Sequence, residues 1–136
     1  MEFIPLFQVI RDKPCLVAGG GTTAQRKVGS LLRAGAAVTV VAPELGEGLA
    51  RRAEAGEIRH LPRPFEPADL LGARLVIAAT NDRVVNRRIA ELASEQDIPV
   101  NVADDPQACT FLLPSVIDRD PVVVAVSTGK ASPVLA

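Results

Sequence analysis

The sequence predicts an α/β protein: a parallel sheet of about five strands, flanked by helices and followed by a C-terminal β-hairpin. Short aliphatic runs alternate with amphipathic helical patterns through most of the chain. A glycine-rich loop joins the first run to the first helical pattern, and after Pro106 two apolar runs follow each other with no helical pattern between them. With 136 residues, 48% of them apolar, the chain can form the buried core of one domain.

The first strand and the first helix flank the motif G-x-G-x-x-A. Residues 15–18 are predicted as the strand, and Gly35 is predicted to end the helix. One apolar face of that helix is formed by Ala24, Val28, Leu31 and Leu32.

Each position of this glycine loop has a physical role in dinucleotide binding. Gly19 allows a tight turn, Gly21 lets a pyrophosphate approach the backbone, and the small Ala24 lets the helix pack close to the strand. The predicted pyrophosphate-binding positions, where backbone N–H groups act, are Gly19, Gly21, Thr22 and Thr23. Because a strand precedes the loop and a helix follows it, the motif favours a Rossmann-like site over an ordinary turn.

The same alternation continues through the middle of the chain. The β-branched run at 38–42 is typical of a strand buried on both faces. The segments that follow are predicted, in order, as a helix from Pro43 to about residue 53 closed by Gly56, a strand at 58–61, a loop at 63–67 and at most one helical turn at 68–71.

A further strand, helix and strand complete the predicted sheet. Residues 75–79 form the fourth strand, and Asn81 or Asp82 can cap the helix that follows it. That helix has its apolar face at Val85, Ile89, Leu92 and Ala93. The fifth strand is predicted at 99–102.

The C-terminal part of the sequence predicts an antiparallel hairpin. Its strands are expected at 111–117 and 122–126, joined by a turn at 118–121. A small domain offers such an apolar hairpin little surface to pack on, which indicates a partner subunit or a continuation of the chain. The expected division is a nucleotide-binding domain at 1–110 and the start of a dimerisation segment at 111–136.

Composition narrows the classes of function. The chain has four Phe, no Trp and no Tyr, and its net charge is −1, so neither base stacking nor charge predicts a nucleic-acid partner. No apolar run is long enough to cross a membrane and the N-terminus does not resemble a signal peptide, so a cytoplasmic location is expected, with no membrane partner. Cys15 and Cys109 are predicted to be small buried residues and His60 a structural one, and these three scattered residues predict no metal site.

Several short motifs in one order resemble the precorrin-2 dehydrogenase domain of siroheme synthases. They begin with Pro5-Leu6-Phe7 and the glycine loop, and span essentially the whole chain. The others are Ala79-Thr80-Asn81-Asp82, Asn101-Val102-Ala103-Asp104, Phe111-Leu112-Leu113-Pro114-Ser115, Val124-Ala125-Val126-Ser127-Thr128-Gly129 and Ser132-Pro133-Val134-Leu135-Ala136. The resemblance implies NAD-dependent oxidation of precorrin-2 to sirohydrochlorin, ferrous iron insertion in some members, and a homodimer in which the segment after the nucleotide-binding domain crosses between subunits.

The cofactor positions combine the residue pattern with this resemblance. The second strand ends at Ala42-Pro43, and the resemblance implies adenosine contacts at Pro43 and Glu44. From the sequence alone, Glu44 is equally a ribose ligand or a carboxylate favoured in the first turn of a helix. No Arg follows directly to receive a 2′-phosphate, so NAD is favoured over NADP. Thr80 and Asn81, after the fourth strand, are predicted to contact the cofactor, to cap the helix, or both.

Asp104 is the predicted catalytic residue. It follows the fifth strand at the carboxyl edge of the sheet, where a carboxylate could accept the proton released during oxidation. Spacing alone favours a turn-forming Asp-Asp-Pro. The resemblance instead implies that the acidic residue of the family falls on Asp104. Asp105 departs from the family's pattern, which leaves open which of the two carboxylates acts.

The resemblance also implies a tetrapyrrole substrate with eight carboxylates. Candidate basic partners, each also explained as a solvated surface charge, are Arg11, Lys13, Arg26, Lys27, Arg119 and Lys130. Two other functions stay open: a chelatase that uses Asp104 without redox chemistry, and a non-enzymatic module that senses NAD.

Overall fold

A five-stranded parallel sheet forms the centre of the computed structural model, which describes residues 2–129. The strands are β1 (Pro14–Ala18), β2 (Ala37–Val41), β3 (Arg59–Leu61), β4 (Leu75–Ala78) and β5 (Val100–Val102). Their order is β3-β2-β1-β4-β5, and every neighbouring pair is parallel. The chain thus moves outward from β1 to β3 and then crosses back to β4. This confirms the predicted Rossmann-like sheet and places the reversal between β1 and β4, where such sheets bind ligands.

Helices cover both faces of the sheet. They are α1 (Thr22–Arg33), α2 (Glu47–Glu54) and α3 (Arg83–Glu95), with short 3₁₀ turns at Pro67–Leu70 and Pro106–Ala108. Alternate strand residues point to opposite sides, so Val17 joins the core beneath α1 and α2, whereas Leu16 joins the core beneath α3. Central strands buried on both faces are the reason that β4 reads as a continuous apolar run.

Two predicted segments, the second helix and the first hairpin strand, have different bounds in the structure. The second helix begins at Glu47, not at Pro43, because Gly46 donates its backbone N–H to the Gly20 carbonyl at 2.8 Å, tying the preceding loop to the glycine loop. The first hairpin strand begins at Ser115, not at residue 111, and it continues to Arg119, so residues 118 and 119 belong to the strand and not to the predicted turn. Phe111 and Leu113 instead pack against the core beneath α1 and α2. In both places a long-range contact replaces the locally favoured structure.

The predicted antiparallel hairpin is confirmed as a separate two-stranded sheet of β6 (Ser115–Arg119) and β7 (Val122–Val126). Its apolar side chains are largely exposed: Val116 is 58% exposed and Val122 57%. The N-terminal segment adds further exposed apolar residues, namely Ile4, Leu6, Phe7 and Val9. Lys130 and the motif at 132–136 lie outside the described residues. Within residues 2–129, no helix combines the length and the apolar character that a membrane crossing requires.

Candidate functional site

A cleft of about 290 Å³ opens at the carboxyl ends of β1, β4 and β5. The cleft is lined by Gly21, Thr22, Thr23, Ala79, Thr80, Asn81, Arg83, Asn86, Ala103 and Asp104. It therefore brings together the predicted phosphate loop, the end of the fourth strand and the predicted catalytic carboxylate, which are far apart in the sequence.

Three consecutive glycines shape one wall of the cleft in different ways. Gly19 has φ +125°, and a Cβ there would collide with the backbone carbonyl oxygen of Ala79. A Cβ on Gly20 would collide with the carbonyl oxygen of Glu44. A Cβ on Gly21, by contrast, would meet nothing within 4 Å. Gly19 and Gly20 are thus required by the packing of the chain, whereas the open side of Gly21 is space available to a ligand; the requirement for Gly20 was missed from the sequence.

The first turn of α1 is left open toward this space. Its N-cap, Gly21, has no side chain that could accept the first N–H groups, and the first turn carries no acidic residue. The N–H groups of Thr22 and Thr23 therefore have no partner within the helix, and the helix dipole adds partial positive charge. These groups fit the pyrophosphate of a dinucleotide, which needs N–H donors and a backbone without a Cβ in the way.

A buried amide holds the loop after β4 in place. The Thr80 hydroxyl donates to Asn86 Oδ1 at 2.6 Å, and the Thr80 backbone N–H donates to the same oxygen at 3.1 Å. Asn86 Nδ2 returns a hydrogen bond to the Thr80 carbonyl at 3.2 Å. Asn86 is only 5% exposed and was not identified from the sequence. The available signal was a polar residue on the apolar face of a predicted helix.

The helix cap after β4 is Asp82 rather than Asn81. Its carboxylate accepts the backbone N–H groups of Val84 and Val85 at 2.9 and 3.3 Å. Asn81 is exposed and lines the cleft. Asp82 therefore caps the helix, and Asn81 lies at the cleft, where the predicted cofactor contact is expected.

Asp104 and Asp105 have different surroundings. Asp104 has φ +59°, is exposed, lines the cleft, and forms no hydrogen bond or ion pair within residues 2–129. Asp105 forms an ion pair with Arg87, at 3.1 Å between Oδ2 and Nη2, and its side chain is 22% exposed. Of the two carboxylates, only Asp104 is available in the cleft without first breaking an ion pair.

Lys27 is a basic candidate whose charge interacts with that of Asp104. Its ammonium group donates to Asn101 Oδ1 at 3.1 Å, and Asn101 Nδ2 donates to the Phe111 carbonyl at 3.1 Å. Burial lowers the pKa of Lys27, the neighbouring charge of Arg26 lowers it further, and the negative charge of Asp104 acts in the opposite direction. Lys27 thus combines an electrostatic interaction with Asp104 and a hydrogen bond to the end of β5.

The other basic candidates lie elsewhere. Arg11 and Lys13 precede β1 and therefore lie at the amino edge of the sheet, opposite the cleft. Arg119 ends β6 of the hairpin, and Arg26 is exposed on α1. The fold does not gather these four into one anion-binding surface with Asp104.

Pro43 and Glu44 are exposed beside the glycine loop and do not line the cleft itself. Since α2 begins at Glu47, that residue supplies the carboxylate in the first helical turn, and Glu44 lies three residues earlier. The helix-dipole explanation for Glu44 is therefore removed, which leaves its carboxylate near the end of β2 without a structural role in the helix.

Cys15, Cys109 and His60 pack or form hydrogen bonds within the fold. Cys15 is 2% exposed and Cys109 is 8% exposed, which confirms their predicted burial, and burial raises the pKa of the Cys15 thiol. Cys109 Sγ accepts the Val102 N–H at 3.1 Å. His60 Nε2 lies 2.8 Å from the Ala42 carbonyl oxygen, a contact that ties β3 to the end of β2. No group of three metal-ligating side chains occurs in the part of the chain that the structure describes.

Comparison with known proteins identifies a family over most of the chain. Residues 6–115 match the family described as "Putative NAD(P)-binding". This range includes the whole five-stranded sheet and every residue that lines the cleft.

Curated relatives are similar over the full chain. It is 57% identical over 136 residues to a siroheme synthase of Methylobacillus flagellatus and 53% identical over 136 residues to a siroheme synthase of Methylococcus capsulatus. In each case the chain spans 29% of the relative's length.

A solved structure has the same fold. The protein titled "SirC, precorrin-2 dehydrogenase" matches with a TM-score of 0.84 and 30% sequence identity, over 98% of this chain and 65% of that one. The likeness extends beyond the residues matched by the family model and includes the hairpin.

Proposed function

The chain belongs to the NAD(P)-binding family, and we propose that it uses NAD to oxidise precorrin-2 to sirohydrochlorin. One observation carries the proposal: Asp104, whose carboxylate has no ion-pair partner within residues 2–129, shares a cleft with the open side of Gly21 and the uncapped first turn of α1. A cofactor site and a proton acceptor therefore lie side by side. Similarity to siroheme synthases and to a precorrin-2 dehydrogenase supports the choice of substrate.

The residues that would hold NAD fit its chemistry. Backbone N–H groups of Gly21, Thr22 and Thr23 would bind the pyrophosphate, with Gly19 shaping the turn. Thr80 and Asn81 would contact the cofactor at the end of β4, and Pro43 and Glu44 would contact the adenosine half beside the end of β2. When bound, NAD supplies the hydride acceptor for the oxidation.

Asp104 supplies the acid–base part of the reaction. Oxidation of precorrin-2 removes a hydride and a proton, and the Asp104 carboxylate accepts the proton and passes it to solvent, to which it is exposed. The hydrogen bond from Lys27 to Asn101 fixes the end of β5, from which the Asp104 turn extends. The ion pair with Arg87 keeps Asp105 out of the reaction.

The remaining surface supports a homodimer. Ile117 and Val124 face each other across the hairpin and are 51% and 43% exposed, and Leu6 and Phe7 in the N-terminal segment are 80% and 74% exposed. Patches of this kind mark protein interfaces. A second copy of the chain would cover them, with residues 1–110 as the nucleotide-binding domain and 111–136 as the start of the dimerisation segment. A cytoplasmic location accords with two unpaired cysteines, since reducing compartments keep thiols free.

The test is a spectral assay with precorrin-2 and NAD under anaerobic conditions. The expected result is formation of sirohydrochlorin with an equal amount of NADH. A Gly21→Ala variant should fold normally, because a Cβ there meets nothing within 4 Å, but should bind NAD more weakly and oxidise more slowly. Binding of NAD without any oxidation would contradict the enzyme assignment and favour a sensing module. A parallel assay that follows ferrous iron insertion into sirohydrochlorin without NAD separates the chelatase alternative.

A further inference from the structure

The first turns of α3 bring arginines to the edge of the cleft. Beside the cleft lies a smaller depression of about 120 Å³, and Arg83 lines both spaces together with Asp104. Arg87, one turn later, lines the depression only, and Arg88 lines neither. Arg83 is thus the arginine that faces the catalytic carboxylate and the proposed cofactor space at once.

No ion pair within the described residues accounts for a cation at position 83. None of the ion pairs among residues 2–129 involves Arg83, whereas Arg87 is paired with Asp105. Arg83 is the first residue of α3, where the positive end of the helix dipole disfavours a basic side chain. An exposed guanidinium in this position costs the helix some stability, and it forms no ion pair within residues 2–129. We therefore look for its partner in a bound ligand.

The chemistry of that partner follows from the position. The pyrophosphate of a dinucleotide already has donors at the other side of the cleft, in the glycine loop and the first turn of α1. None of residues 19–23 lines the depression, so an anion bound there is separate from that loop. Guanidinium groups bind carboxylates through two parallel hydrogen bonds, and the proposed substrate carries eight carboxylates.

We propose that Arg83 binds a peripheral carboxylate of the tetrapyrrole substrate and so orients the macrocycle against Asp104. This inference rests on the proposed function, because it takes the substrate from there. Arg87 has a different role: its ion pair with Asp105 holds the 103–105 turn against α3 and leaves Arg83 as the available cation.

The experiment compares Arg83→Gln with Arg88→Gln, an exposed arginine on the same helix outside both spaces. At saturating NAD, Arg83→Gln should raise the KM for precorrin-2 roughly tenfold, the worth of one charge-assisted pair, while kcat changes little. Arg83→Lys should recover part of the loss, and Arg88→Gln should behave as wild type. The melting temperature and the Kd for NAD of each variant are measured in parallel.

Two results would overturn the proposal: an unchanged KM in Arg83→Gln, or a weaker Kd for NAD, which would assign the guanidinium to the cofactor. A second measurement separates this inference from the proposed function. Uroporphyrin, a stable tetrapyrrole with eight carboxylates, is titrated against the protein and followed by its fluorescence. If the wild-type protein does not oxidise precorrin-2 but binds uroporphyrin in a manner that depends on Arg83, the proposed function fails and the carboxylate site stands. If the Arg83→Gln variant oxidises precorrin-2 as well as the wild type does, the proposed function stands and the carboxylate site at Arg83 fails.

Discussion

Asp104 and Asp105 are neighbours in the chain, yet their side chains meet different electrostatic environments. The Arg87 guanidinium lies 3.1 Å from the Asp105 carboxylate, which must lose that partner before it can accept a proton at its paired oxygen. Asp104 turns into the cleft through a left-handed backbone conformation, with φ +59°, and has no such partner within the described residues. The difference between the two environments depends on the left-handed backbone of Asp104 and on Arg87, which lies 18 positions before Asp105.

Asp104→Asn is expected to retain the fold and the affinity for NAD, since Asn is nearly isosteric and tolerates the left-handed conformation. Loss of the proton acceptor should lower turnover of precorrin-2 by roughly two to four orders of magnitude. Steady-state kinetics and calorimetry with NAD measure the two effects.

Asp105→Asn is the matched control, which should lower turnover much less because it removes only a supporting ion pair. If Asp105→Asn abolishes oxidation and Asp104→Asn does not, the catalytic residue has been assigned to the wrong carboxylate. If neither variant loses activity, both carboxylates are turn formers.

We expect the choice between NAD and NADP to depend on a single residue, Glu44. Glu44 lies before α2, near the end of β2, and no basic residue follows it until Arg51. A carboxylate beside the adenosine ribose would repel a 2′-phosphate, so calorimetry should give a Kd for NAD roughly tenfold or more below that for NADP. Glu44→Ala should reduce this preference, whereas Glu47→Ala, which removes the carboxylate of the first helical turn, should leave it unchanged. Equal or tighter binding of NADP would contradict the assignment.

At the scale of elements, the position of the β4–α3 loop depends on one buried amide. Asn86 accepts two hydrogen bonds from Thr80 and returns one to its carbonyl, so the first turns of α3 and the end of β4 are held as one unit. The cleft wall is therefore as rigid as the packing of α3 on the sheet, to which Ile89 and Ala93 contribute fully buried side chains.

Asn86→Ala should lower the free energy of unfolding by about 1–3 kcal/mol, because it removes the partner of the half-buried Thr80 backbone N–H, together with the hydrogen bonds to the Thr80 hydroxyl and carbonyl. The affinity for NAD should fall as well, since Thr80 lines the cleft. Urea unfolding and calorimetry give the two values. Arg88→Ala, an exposed position on the same helix, serves as the control. If Asn86→Ala is as stable as the wild type, water replaces the hydrogen bonds of the amide and the free energy of unfolding does not depend on Asn86.

The 3₁₀ turn at Pro67–Leu70 contains a hydrogen-bonded carboxylate, Asp69, that makes the stability of the fold depend on pH. Asp69 receives two short hydrogen bonds from Arg63, at 2.6 and 2.9 Å, and one from the Glu66 N–H at 2.8 Å. The hydrogen bonds from Arg63 are the main cause that holds the pKa of Asp69 below its ordinary value of 3.8. A carboxyl group with a lowered folded-state pKa stabilises the fold above the unfolded-state pKa and loses that contribution as the pH falls through the folded-state value.

Asp69→Asn should therefore be less stable than the wild type at pH 7, and the difference should shrink below about pH 4. Urea midpoints measured at both pH values test this. Asp97→Asn is the control, because Asp97 has a left-handed backbone that Asn tolerates and no side-chain hydrogen bond or ion pair within residues 2–129. A difference between wild type and Asp69→Asn that is independent of pH would contradict the linkage.

At the scale of the molecule, the hairpin and the N-terminal segment expose apolar side chains that residues 2–129 leave uncovered. The main sheet is covered on both faces by its own helices, so it offers the hairpin no further face. Ile117, Val122, Val124 and Val126 lie on one side of the hairpin with about half of each side chain exposed. Exposed apolar surface of this kind is typical of a protein interface, which is the basis of the proposed homodimer.

Light scattering should accordingly give the mass of a dimer. Ile117→Lys, which places a charge on this apolar side of the hairpin, should shift the protein toward monomer. Val84→Lys is the matched control: Val84 is 77% exposed, but it stands alone on the surface of α3. A wild-type monomer over a wide range of concentration, or a dimer that Ile117→Lys leaves intact, would contradict the proposed interface.

The order of strands and helices, the glycine loop between β1 and α1, and the position of Asp104 at the sheet edge were all predictable from the sequence. Each depends on a local pattern: β-branched runs for the strands, apolar residues one turn apart for the helices, and glycines between a strand and a helix. Parallel sheets then bring the carboxyl ends of their strands to one edge, so the order of the elements is enough to assign the residues after strands 1, 4 and 5 to one site.

Contacts between distant segments were decided only by the tertiary structure. Lys27 and Asn101 are 74 residues apart, and no local pattern indicates that they share a hydrogen bond. Three other features likewise depend on which segments the sheet brings together. They are the start of α2 at Glu47, the hydrogen bonds between Asn86 and Thr80, and the ion pair between Arg87 and Asp105. Periodicity is a property of neighbouring residues, whereas the partner of a polar side chain depends on distances set by the whole fold. The sequence alone therefore determined the architecture and the type of site, and the tertiary structure determined which side chains remain free to act in it.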